Sequence, residues 1–286
     1  MDSIYSIAVG TTSVYWTNNS LTGMTVMKVG SSGGAPVTLA SGQSGPTWMA
    51  VDSTSAYWAI QGGASGIGRI LKVGLAGGTP STIASTSPAA DRLAIDSTSV
   101  YWTDPVDGGR VMKVGLNGGT PTTLASGQGY QGSPCGTAVD ASSVYWGTAS
   151  SSGAIVKVGL NGGTPVTLVS GVYFPCMIAV DATSVYWATQ STNSGVLAKI
   201  GLSGGSPVTL VSGQSFSSYI AVDASGVYWT SLTGTGIVMK TGLSGGEPVT
   251  LVTGSNQPSS IAVDSSNIYW AEFDSGSSMS LKKLAK

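Results

Sequence analysis

The chain has 286 residues, 41% of them hydrophobic, which is room for one domain with a large core or two small ones. Its 12 basic and 13 acidic side chains leave a net charge of -1, so it carries neither a basic nucleic-acid footprint nor a polybasic membrane patch. It has no histidine, which removes Ser/His/Asp and Cys/His catalysis and histidine-ligated metals.

In chain order, the start "MDSIYSIAVG" lacks a basic leader ahead of a long apolar region, and no apolar run is long enough to span a membrane. The first unit then sets a plan. "IAV" at 7–9 turns through "GTTS" into "VYWTN", a variable loop leads to "VMKVG", and the turn "SSGG" precedes "PVTLA" at 36–40. Alternating β-branched and aromatic residues bounded by Gly, Ser and Pro predict four short strands, and no segment sustains a helical apolar period. Gly-Gly permits the positive φ of a tight turn, and proline pre-sets the conformation entering the fourth strand.

The Tyr-Trp pair of this unit returns with its tyrosine at 15, 57, 101, 145, 186, 228 and 269, at intervals of 42, 44, 44, 41, 42 and 41 residues. The array fills 1–286, which predicts a single domain of seven repeats. A four-stranded antiparallel unit has two apolar faces that it cannot bury alone, so the fold class is all-β, a seven-bladed β-propeller of radially stacked blades. The fourth strand recurs only six times, at 36–40, 80–84, 121–125, 165–169, 207–211 and 248–252. The seventh unit reaches "MSLKKLAK", near the end of its third strand, and the six residues before "IAV" are too few to supply the missing one. The ring is expected to close with an incomplete or otherwise completed last blade, whose edge is a contact surface for homo-oligomerisation or for a further segment.

Several positions recur inside the units. Asp52, Asp96, Asp140, Asp181, Asp223 and Asp264 follow the inner strand, with Gly10 in the first copy, and the Ser and Thr after them suit side-chain stabilisation of a turn. One repeated aspartate does not gather the several oxygens that calcium needs, so no cofactor is expected. Lys28, Lys72, Lys113, Lys157, Lys199, Lys240 and Lys282 are assigned one place in the third strand, as packing or hydrogen-bonding groups spread around the ring. Cys135 and Cys176 hold equivalent places just before inner strands of adjacent units, near the axis, where an inter-blade disulfide is geometrically permitted. A bridge is favoured over two buried thiols, and it suits an exported protein.

The third unit, Tyr101-Trp102-Thr103-Asp104, resembles the YWTD-repeat propellers of lipoprotein-receptor type. Over residues 7–284 the array is similar to the repeat propellers of secreted bacterial proteins. The resemblance implies a ligand-binding propeller, outside the cell or on its surface once an export signal is removed. The other copies read "YWTN", "YWAI", "YWGT", "YWAT", "YWTS" and "YWAE", and the receptor type has six blades where this sequence counts seven.

Loops leading into the inner strands, and those joining second and third strands, are expected on one face, and they vary most between units. The first set contributes Trp48, Asp91, Arg92, Tyr130, Gln131, Tyr173, Phe174, Phe216, Tyr219, Asn256 and Gln257. The second adds Asn18, Asn19, Gln61, Asp104, Asp107, Arg110, Gln190, Asn193, Glu272 and Asp274. Aromatic planes among neutral amides and occasional charges suit a carbohydrate or a protein or peptide ligand, while some of the rings are expected to plug the channel mouth. A non-catalytic binding module is the leading expectation. The alternatives are a self-assembling scaffold and a carboxylate-dependent hydrolase or lyase using Asp104 and Asp107, whose structural reading is turn stabilisation and pairing with Arg110.

Overall fold

The computed structural model describes residues 4–19, 24–60, 62, 66–86, 90–129, 132–189, 194–216, 219–232, 236–274 and 278–286. They form seven antiparallel sheets, six of four strands and a last one of three, each in simple up-and-down order. The inner strands run, blade by blade, over Ile4–Val9, Pro46–Val51, Asp91–Ile95, Pro134–Val139, Met177–Val180, Ile220–Asp223 and Ile261–Val263. The three-stranded seventh blade ends in Met279–Ala285.

The Tyr-Trp pairs explain the stacking. Neighbouring residues of a strand point to opposite faces, so each blade shows its tyrosine to the next blade and its tryptophan to the previous one. Tyr57 shares a core cluster with Trp102, Tyr101 with Trp146, and Tyr145 with Trp187. Tyr269 of the last blade shares one with Trp16 of the first, which closes the circle. At that closing seam the Ile7 amide donates to Ser260 Oγ at 3.1 Å, and Lys283 Nζ donates to the Ser31 carbonyl at 2.7 Å.

The repeated aspartates form a clasp. In blade 3, Asp96 Oδ1 accepts the amides of Thr98 and Ser99 and the Thr98 hydroxyl, while Oδ2 accepts Tyr101 OH at 2.8 Å. The same tyrosine bond joins Asp52 to Tyr57, Asp140 to Tyr145, Asp181 to Tyr186 and Asp264 to Tyr269. One carboxylate thus holds the first turn of the blade and ties the phenol of the seam to it. In blade 6 Asp223 is engaged by Lys286 instead, and Tyr228 OH pairs with Ser225 Oγ at 2.6 Å.

The lysines cross between blades. Lys28 Nζ donates to the Leu75 carbonyl and Lys113 Nζ to the Leu160 carbonyl, both at 2.6 Å, in the glycine-rich turn of the following blade. The seventh member is Lys283 and not the expected Lys282. Lys283 pairs with Tyr269 as Lys28 pairs with Tyr15, whereas Lys282 lies opposite Trp270. A displacement of one residue along a strand reverses the face of its side chain, and Lys282 accordingly reaches Glu272 at 3.4 Å.

Candidate functional site

Register places the start of each inner strand beside the end of the second and the start of the third. In blade 3, Asp91 pairs with Thr103 and Asp104 with Arg110. The two expected loop sets therefore do share one face of the ring. Tyr130, Gln131, Gln61, Gln190 and Asn193 lie outside the described residues, as does the side chain of Asp91.

At the mouth of the axis, four blades converge. Trp48 of blade 2 meets Tyr5 of blade 1 edge to face, with centroids 5.3 Å apart, and Tyr219 of blade 6 at 5.0 Å. Tyr219 OH donates to the Tyr5 carbonyl at 2.7 Å. The Arg92 guanidinium of blade 3 stacks 4.4 Å from the Trp48 ring and 4.9 Å from Tyr219. Rings in these geometries attract one another and the cation through their quadrupoles. Backbone irregularities aim them. The ladder slips between Ile4 and Ser6, between Pro46 and Met49, and across Arg92, where Leu93 faces Trp102 and Asp91 faces Thr103. A bulge turns a residue off the alternation of its strand, here toward the axis, and Arg92 takes φ 34° to do so.

Tyr5 was not among the expected residues. Trp48, Arg92 and Tyr219 all stand nine positions before a repeat tyrosine, Tyr57, Tyr101 and Tyr228, and that common offset is the signal that marks the mouth. Tyr5 sits one position further back from Tyr15, on the bulge, so the same count passes over it.

Away from the axis, Tyr173 is 48% exposed and packs edge to face on Phe174 at 4.8 Å. It borders a cleft of about 640 Å³ between blades 4 and 5, whose wall includes Gly171, Trp187, Thr189 and Val196. Phe216 is not part of this face. Its ring is buried 5.7 Å from Trp229 in the seam of blades 5 and 6, and it fits because Gly195 opposite has no Cβ, which would lie 2.8 Å from the ring.

The acids are held locally. Arg110 reaches Asp104 at 2.6 Å and Asp107 at 3.1 Å, so both carboxylates expected of a hydrolase share one guanidinium. Asp104 is only 2% exposed and lies beneath the surface, while Asp107 stands in solvent at φ 52°. In blade 7, Glu272 accepts Trp270 Nε1 at 2.9 Å and the Ser255 hydroxyl, and Asp274 accepts the Ser280 hydroxyl at 2.9 Å. Replacing Arg110 with alanine leaves a buried carboxylate without its cation and lowers stability by about 3 kcal/mol, whereas Asp107→Asn changes it by less than ~0.5 kcal/mol. Urea unfolding of the two variants checks this, and equal midpoints would contradict it.

Beside this face, Cys135 and Cys176 are joined in a disulfide with Cα atoms 5.1 Å apart, linking blades 4 and 5. Among the described residues no group of three or more acidic or cysteine side chains is gathered as a metal site would be.

No protein-family model matches the chain, and no curated protein matches it in sequence. Among solved structures, the chain is similar to the β-propeller domain of the trilobed protease from Pyrococcus furiosus, which has an open velcro topology. That match has 8% identity, a TM-score of 0.74, and coverage of 99% of this chain and 97% of that one. A Mycobacterium tuberculosis puromycin-hydrolyzing peptidase aligns with 13% identity and a TM-score of 0.76 over 99% of this chain, which spans 51% of that enzyme. TolB from Acinetobacter baumannii aligns with 15% identity and a TM-score of 0.59, over 77% of this chain and 57% of that one. At such identities the likeness is one of fold.

Proposed function

We propose that the chain is a non-catalytic binding propeller that engages a protein or peptide through its loop face, in an exported setting and in the manner of YWTD-like repeat propellers. The observation that carries this reading is the aromatic cluster at the mouth of the axis. Trp48, Arg92 and Tyr219 occupy the mouth where a propeller enzyme would need a chamber, and they make a continuous surface of rings and a cation. Around it Tyr173 and Asp107 stand exposed. Rigid aromatic anchors with a polar surround are the composition of protein interfaces, where Trp, Tyr and Arg concentrate binding energy. Fold neighbours that belong to peptidases are in keeping with a polypeptide ligand.

A carbohydrate is the second reading, favoured by the exposed Tyr173 ring at the rim of the cleft between blades 4 and 5. Peptide and glycan arrays probed with the chain separate the two. The expected result is saturable binding on the peptide array that Tyr173→Ala or Trp48→Ala weakens at least about tenfold, as for interface anchors. Binding confined to glycans would hand the site to the second reading, and silence on both arrays would remove the proposal.

A further inference from the structure

Six blades drive an aliphatic side chain of their fourth strand into the seam with the next blade: Leu39, Ile83, Leu124, Leu168, Leu210 and Leu251. The first glycine of the next blade's turn rests on that strand. A Cβ on Gly118 would lie 3.2 Å from the Ile83 carbonyl, one on Gly162 3.4 Å from that of Leu124, and one on Gly245 3.0 Å from that of Leu210. Gly33 holds the same place in blade 1, facing blade 7, and has nothing within 4 Å. The third strands agree. Val26, Ile70, Val111, Ile155, Leu197 and Val238 are each 0% exposed under their fourth strands, whereas Leu281, their counterpart in blade 7, is only partly buried. Between them lies a groove of about 400 Å³ walled by Val14, Trp16, Val29, Gly33, Tyr269 and Leu281.

We propose that this groove, with the outer edge of Met279–Ala285 that no strand pairs among the described residues, takes up an extended segment of a partner polypeptide as the fourth strand of blade 7. Added strands of this kind gain affinity from main-chain hydrogen bonds and specificity from alternate side chains. The six internal strands define the ligand: four read Val-Thr-Leu, one Ser-Thr-Ile and one Thr-Thr-Leu, so it is an uncharged extended segment with a leucine or isoleucine entering the seam and the threonine before it facing out. A second copy of the chain does not meet this description, because all six of its fourth strands are already paired within their own blades. Edge lysines often repel a further strand. Here each ammonium has a partner: Lys282 has Glu272, Lys283 the Ser31 carbonyl, and Lys286 Asp223.

The probe is a labelled synthetic peptide with the sequence of residues 162–171, "GGTPVTLVSG", titrated against the full chain. Saturable binding is expected, with slowed hydrogen exchange at 279–285 and affinity at least about tenfold weaker for the same peptide carrying Leu168→Asp, since its aliphatic burial is lost. A chain extended after Lys286 by these ten residues fills its own groove and no longer binds the peptide. No saturable binding to folded protein, equal binding of the Leu168→Asp peptide, or undiminished binding to the extended chain would each overturn the proposal. Protection of 279–285 that rises with protein concentration in the absence of peptide would also overturn it, by assigning the edge to a second copy.

Discussion

Replacing both Cys135 and Cys176 with alanine lowers the unfolding free energy by about 3–4 kcal/mol while leaving the ring intact. The bridge closes a separation of 41 residues, one whole repeat, and in the chain-entropy account a loop of that length restrains the unfolded chain by about 4 kcal/mol. The Cα separation of 5.1 Å lies within the ordinary range for a bridge. The fold survives because the same seam is held independently. Tyr145 and Trp187 share its core cluster, and Lys157 donates to the Leu202 carbonyl across it. Both cysteines of the chain are in this bridge, so the other seams hold without a disulfide. The double variant is the informative one, since a single replacement leaves a reactive thiol. Denaturant titration under oxidising conditions measures the difference. A loss below 1 kcal/mol, or a wild type indifferent to reductant, would show that the bridge does not restrain the unfolded chain.

The equivalence of Cys135 and Cys176 was legible because a repeat array converts sequence spacing into position around an axis. The same logic made the Tyr-Trp seams and the aspartate turns readable, since each depends on local alternation within one blade. Contacts across the axis follow a different rule. Trp48 and Tyr219 are 171 residues apart, and although each stands at the same offset from a repeat tyrosine, their contact follows from closure of the ring and, for Trp48, from the bulge between Pro46 and Met49. Phe216 illustrates the converse. It reads as a loop aromatic, yet the missing side chain of Gly195, on the strand paired with the one that Phe216 follows, admits it to the core. Lys282 was misplaced because the last third strand has two adjacent lysines and only register tells which one faces the turn of blade 1. The groove beside Leu281 could be anticipated from counting six fourth strands, whereas its shape needed the closed ring.

The seams themselves are built to fail at both ends of the pH scale, with the larger loss on the alkaline side. Burial pushes the phenols of Tyr101, Tyr145, Tyr186 and Tyr269 up to about 12, and the hydrogen bond and negative charge of the clasping aspartate add to it. Tyr57 moves in the same direction, with burial again the largest cause and its bond to Asp52 next. A group whose folded value lies above its unfolded value of 10 contributes stability that is complete below pH 10 and is lost as pH rises through the folded value. The window is therefore pH 10 to about 12. It acts on five seams together, because each phenol is at once a core side chain and the partner of a carboxylate.

On the acid side, burial alone would raise Asp52, Asp96, Asp140, Asp181, Asp223 and Asp264. The amide and hydroxyl bonds they accept, with Lys286 at Asp223, outweigh it and hold them below 3.8. Their contribution is present above that unfolded value and fades as pH falls through the folded ones, so stability declines below about pH 4. Melting temperatures recorded from pH 3 to 12 should form a plateau with a shallow acid edge and a steep alkaline one. Phenolate absorbance is expected to rise cooperatively with unfolding and not near pH 10. Asp140→Asn separates this from lysine titration, which it leaves unchanged. Removing the charge beside Tyr145 brings that phenol's folded value closer to its unfolded value of 10, so its share of the alkaline loss shrinks and the alkaline edge becomes shallower. An alkaline edge equally steep in Asp140→Asn, or tyrosines that ionise reversibly near pH 10 in the folded ring, would mean that the clasps do not couple the seams to pH.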